Sequence, residues 1–114
     1  MKALVLSILF IFSISTFAGK PVSKDGYCNG KKLWGDVLII DRGTPDFYVY
    51  VDYVSENLRV KPVEYLCSKP GEWRFVSKNG PHDFTIKFVD ERNHADFTIR
   101  IVSNMCGVTH PTEK

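Results

Sequence analysis

Beyond its first eighteen residues the chain has no long apolar run. The stretch from Ala3 to about Phe12 is the longest, and after Ala18 no segment approaches the roughly 20 residues needed to cross a bilayer as a helix. Cysteine is scarce. Cys28, Cys67 and Cys106 are the whole supply, with no Cys-x-x-Cys and no His-x-x-x-His, so the spacing of a zinc site is missing. No glycine-rich phosphate loop occurs, since Asn79-Gly80-Pro81 is turn chemistry. A surplus of either charge is lacking too. Fifteen Lys plus Arg stand against thirteen Asp plus Glu, which excludes bulk electrostatic capture of nucleic acid. At 114 residues, a two-domain enzyme with a cleft between halves and a long helical array are also excluded.

The amino-terminal segment has the makings of a secretory signal. Lys2 precedes the apolar run, Ser13 to Ser15 interrupt it, and Thr16 and Ala18 are the small residues a signal peptidase requires. The expected organisation is a signal peptide over 1–18, an extension with Cys28 over 19–33, a repetitive domain over 34–108 and a tail over 109–114. Export to a periplasm or the exterior follows, with no transmembrane segment left after cleavage. In that oxidising setting cysteine pairing is the default. Because the number is odd, one intramolecular staple and one leftover thiol are expected, the alternative being a disulfide-linked dimer or a reactive thiol.

From Trp34 onward the chain repeats itself. Asp83-Phe84-Thr85-Ile86-Lys87-Phe88-Val89 returns as Asp96-Phe97-Thr98-Ile99-Arg100-Ile101-Val102, and looser copies are Glu72–Val76, Asn57–Val63, Asp46–Asp52 and Asp36–Asp41. Every copy alternates with period two. Phe84, Ile86 and Phe88 share one face, while Thr85, Lys87 and Val89 share the other, as in a strand with one buried side. Turn-forming stretches such as Arg42-Gly43-Thr44-Pro45 and Ser68-Lys69-Pro70-Gly71 separate the copies. The spacing leaves no room for crossover helices. The sequence therefore predicts an all-β single domain of about six short repeated strands. The Asp or Asn that opens five copies is expected to bond nearby backbone amides and end the preceding turn. Pro62 predicts an edge strand or a bulge.

These units, with Gly71-Glu72-Trp73-Arg74-Phe75-Val76 third from last, Ala95-Asp96 intact and Gly107 near the end, resemble the septoil-knot family over about Gly35 to Val108. Asn57 and Pro81-His82-Asp83 depart from its Ala-Asp pairs, and the segment carrying Cys28 is extra. The resemblance implies a small repetitive β protein with a seven-crossing knotted backbone. It carries over no activity and no cofactor; some members bear a chaperone label.

Function must therefore be sought on the surface. The outward position near the end of each copy is Leu38, Tyr50, Lys61, Arg74, Lys87 and Arg100, four of them basic, with Arg59 on the same side. Tyr48 and Tyr50 face outward together, as residues at partner interfaces do. We expect Tyr48, Tyr50, Arg59, Lys61, Arg74, Lys87 and Arg100 to form a binding face for an envelope protein or an anionic envelope polymer, without catalysis, cofactor or nucleic acid. Two alternatives have sequence support: an inhibitor of a hydrolase acting through the Lys69-Pro70-Gly71 loop, and a metal site using the turn residues His82 and His94.

Overall fold

The computed structural model describes residues 20–77 and 80–112. The proposed signal peptide lies outside the described residues. The described residues form nine strands: β1 (Tyr27–Cys28), β2 (Lys31–Lys32), β3 (Gly35–Ile39), β4 (Phe47–Val51), β5 (Leu58–Pro62), β6 (Glu72–Phe75), β7 (Phe84–Phe88), β8 (Phe97–Ile101) and β9 (Gly107–Val108). The one helical element among the described residues is a 3-10 turn at Arg92–His94. The all-β expectation holds, and each of the six repeat copies contains one of β3 to β8.

These six strands run parallel and close into a barrel, in the order β6-β3-β7-β4-β8-β5 and back to β6. The order is not sequential. β3, β4 and β5 leave a gap between each pair, and β6, β7 and β8 fill those gaps on a second lap. Parallel strands need long connections. Here the connections return along the barrel with no helical element among the described residues except that 3-10 turn, and a strand of the other lap lies between most sequence neighbours. β5 and β6 are the sequence neighbours that pair directly, and their seam is short: Lys61 opposite Glu72 and Pro62 opposite Trp73. Gly71 permits that close approach. Its φ is +91°, and an added Cβ would collide with the carbonyl of Arg59. Short antiparallel β9 lies against the first half of β5.

Pro62 sits at neither an edge nor a bulge. It is the last residue of β5, inside a closed barrel. Pairing with β8 ends at Val60 opposite Ile101, and the bonds to β6 come from the amides of Lys61 and Val63, 2.7 and 2.9 Å from the carbonyls of Gly71 and Trp73. The donor that proline lacks is not required there.

Ladder rows show how the core is filled. They run Phe84–Val37–Phe75, Phe47–Ile86–Ile39, Phe97–Val49–Phe88 and Leu58–Ile99–Val51, each climbing from the first inward residue of one strand to the last of another. The first and middle members are buried, among them Phe84, Phe47, Phe97 and Leu58, then Val37, Val49, Ile86 and Ile99. Phe47 meets both Phe84 and Phe97 edge-on, with ring centres 5.6 and 5.3 Å apart. Trp73 stands over Phe84 at 5.5 Å opposite Gly35, and its indole N–H donates to the carbonyl of Leu33 at 3.0 Å.

The residues before β3 close one end of this barrel. Val22, Cys28 and Leu33 join the core cluster. Leu33 reaches it because its carbonyl also accepts the amide of Gly71 at 3.0 Å, fixing the β1–β2 hairpin across the starts of the strands. The tail is tied to the same region. Thr112 donates its amide to the carbonyl of Val22 and accepts the amide of Val22 on its hydroxyl.

Candidate functional site

All six barrel strands end together, because all are parallel, and that end has no plug of its own among the described residues. The last inward residue of each strand is Ile39, Val51, Pro62, Phe75, Phe88 or Ile101. Four are large and apolar yet well exposed: Ile39 at 47%, Phe75 at 38%, Phe88 at 41% and Ile101 at 41%. Val54, Leu66 and Met105, in the connections that leave this end, are more exposed still. The barrel thus has a closed end and an apolar mouth. A cluster of exposed apolar residues at one end of a small domain is a recognised mark of an interaction surface.

One residue behind the rim, on the outer wall, lie the positions predicted as a basic ladder. Going round from β6 they are Arg74, Leu38, Lys87, Tyr50, Arg100 and Lys61, of which Leu38, expected to face outward, is buried. The interleaving of the laps converts the sequential ladder into a collar. β3 separates Arg74 from Lys87, and β4 separates Lys87 from Arg100. All seven predicted binding residues are partly exposed.

Their environments differ. Arg74 is committed to Asp36, its ladder partner, with Nε 2.7 Å and a second guanidinium nitrogen 3.1 Å from the two carboxylate oxygens. That hydrogen bond holds the Asp36 carboxyl below its usual range and raises the Arg74 guanidinium. Lys87 stands beside Tyr48 in the ladder and donates to the carbonyl of Gly43 at 2.8 Å. Tyr50 lies opposite Thr98. Lys61 reaches over the ring of Tyr65, and Arg100 over that of Tyr53, at 6.0 and 5.9 Å. Arg59 and Arg100 are direct ladder partners. Arg59 bonds the buried Glu56 at 2.9 Å.

No disulfide joins the three cysteines among the described residues. Cys28 is buried in the plug, with its sulfur 3.7 Å from the carbonyl of Lys20. Cys67 contacts the carbonyl of Gly35 at 3.6 Å, and Cys106 lies in the connection between β8 and β9. The fold thus assigns each to a different local structure. Burial pushes the Cys67 thiol up, away from the reactive thiolate form.

The two turn histidines stay exposed. His94 is 3.8 Å from Glu91, and among the described residues no group of three or more His, Cys, Asp or Glu side chains gathers in metal-ligand reach. In the Lys69-Pro70-Gly71 loop Lys69 is exposed, Pro70 is half-buried against Gly26 and Gly71 is buried, and the Ser68 amide before it donates to Glu72 at 2.9 Å.

Comparison with known proteins now bears on this arrangement. Residues 30–109 match the family described as the 7(1) septoil knot domain. That span is most of the chain, and the chain belongs to this family. No curated protein and no solved structure matches it. Among the described residues no helix is long and apolar enough to cross a membrane.

Proposed function

We propose that the chain is an exported, non-catalytic binding module of the cell envelope. It grips an anionic partner that also carries apolar groups. The observation that carries this reading is the mouth itself: Ile39, Phe75, Phe88 and Ile101 exposed at one end of a barrel whose other end is plugged. Lys61, Lys87 and Arg100 stand just behind the rim with no ion-pair partner among the described residues. Apolar contact supplies the affinity, and the cations choose a partner with carboxylates or other anionic groups. Tyr48 and Tyr50 extend the surface down the wall. Export rests on the Lys2-to-Ala18 segment and on nothing structural. A chaperone-like role for such a mouth would consist of holding an apolar segment of another protein. The second lap, threaded through the gaps of the first, supports the knotted backbone that the family description names.

The test retains Arg100. Lys61→Glu with Lys87→Glu, and separately Phe88→Ser, are compared with the parent protein for association with envelope extracts. Both variants should lose at least tenfold in recovered partner while keeping the parent's circular dichroism. Undiminished recovery with both would reduce the mouth and collar to solvated surface.

A further inference from the structure

Two arginines that face each other need an explanation. Arg59 on β5 and Arg100 on β8 are ladder partners on the outward face, where like charges directly opposite destabilise a sheet. A single carboxylate offsets them. Glu56 is bonded through Arg59 Nε, which leaves the terminal nitrogens of that guanidinium outside the contact. Arg100 has no ion-pair partner among the described residues; its guanidinium lies over Tyr53.

Beside the pair runs a groove of about 420 Å³, walled by Arg59, Arg100 and the segment from Ile101 to Met105. Its lining includes donors, namely the Arg59 and Arg100 guanidinium groups, the Ser103 hydroxyl and the Asn104 amide. It also includes apolar surface, from Ile101 at the barrel rim and from Met105, which is 77% exposed. A planar guanidinium pair matches the two oxygens of a carboxylate, and adjacent apolar surface matches the group that carries it.

We infer that this groove seats a carboxylate side chain of a partner protein, with the apolar residue beside that carboxylate lying on Ile101 and Met105. The inference rests on the binding reading above and gives its anionic group a place. A continuous anionic surface such as a lipid bilayer is disfavoured, because Asp41, Glu64, Asp90 and Glu91 are exposed in connections leaving the same end of the barrel. They would repel a charged sheet but leave one inserted carboxylate untouched.

The probe is the peptide acetyl-Leu-Glu-Phe-Leu-amide, titrated into the isotope-labelled protein and followed by nuclear magnetic resonance. Its Gln counterpart and vesicles of phosphatidylglycerol serve as comparison arms. The Glu peptide should shift the side-chain Nε signals of Arg59 and Arg100 and the amides of Ser103 and Asn104. Replacing Glu by Gln in the peptide, or Arg100→Gln in the protein, should weaken binding at least tenfold, and Arg100→Lys should restore part of it. Equal binding of both peptides to the parent protein, or shifts that map elsewhere, would overturn the groove, and this comparison holds even if the Arg100 variant misfolds. Binding of vesicles but not of peptide would also overturn it, in favour of a membrane surface. If the peptide fails while the Lys61, Lys87 and Phe88 variants still lose envelope association, the groove alone falls. If those variants keep their association as well, the binding reading falls with it.

Discussion

Asp96 and Tyr48 hold each other twice. The Asp96 carboxylate accepts the amide of Tyr48 at 2.8 Å, and the Asp96 amide donates to the carbonyl of Tyr48 at 2.7 Å. The pattern recurs at three more opening residues. Asp83 clasps Asp36, Asp46 clasps Thr85, and Asn57 clasps Thr98, always at the start of a strand and always on its neighbour in the barrel. The repeated residue is the joint between laps. Asp96→Ala should cost about 1–3 kcal/mol, since it strands a partly buried amide. Asp96→Asn should cost much less, because Asn57 already does the same work. Urea denaturation of the two variants measures the difference.

Acid should loosen the barrel through three carboxylates. Asp36 is held low by the hydrogen bond from Arg74, and Glu72 by the amide of Ser68. For Glu56, burial pushes the value up, but the bond from Arg59 and the charges nearby outweigh it, and the net direction is down. A group with a lower pKa folded than unfolded stabilises the fold fully above its unfolded pKa, about 4 for carboxylates. The contribution disappears as pH falls through the folded values. The urea midpoint should therefore be flat near neutrality and fall below about pH 4–5. Glu72→Gln should be less stable at pH 7 and show a shallower decline. A midpoint that rose on acidification would contradict the assignment.

Trp73 is the largest fully buried side chain and the link between barrel and plug. Trp73→Ala should cost about 3–5 kcal/mol, a large part of the ~5–15 kcal/mol that stabilises a small domain. Trp73→Phe keeps most of the packing, and the Leu33 carbonyl keeps the Gly71 amide, so loss of the indole bond should cost only about 0.5–1.5 kcal/mol. Circular dichroism during thermal unfolding orders the three proteins.

Refolding should be slow. Each barrel strand pairs with strands of the other lap, so most native pairing joins distant parts of the chain. Such topologies fold in milliseconds to seconds or longer. Stopped-flow refolding should show a dominant phase of seconds or more that is independent of protein concentration. Completion within a millisecond would argue against the interleaved winding.

The strands were legible because period two was written in every copy: Phe84 and Ile86 inward, Thr85 and Lys87 outward. Their order in space was not, since look-alike strands carry no label for their partners. That is why the basic positions read as a ladder and stand as a collar. The opening Asp residues were legible as backbone binders by their recurrence, but not as binders of strands 39 to 48 residues away. Phe88, Phe75, Ile39 and Ile101 sit in the inward register, and alternation alone marks them as core. Their exposure depends on which end is plugged, and Val22, Cys28 and Leu33 lie in a segment with no alternation to reveal that role. The last inward position of every copy was the available signal.

The mouth is tested most directly by placing a photoreactive side chain at its rim. A photo-crosslinking residue at position 88 is compared in the native envelope with one at position 25, in the turn that leads into the hairpin at the closed end. The account predicts a discrete crosslinked partner from position 88 and none from position 25. Crosslinking from position 25 alone, or equally from both, would contradict it.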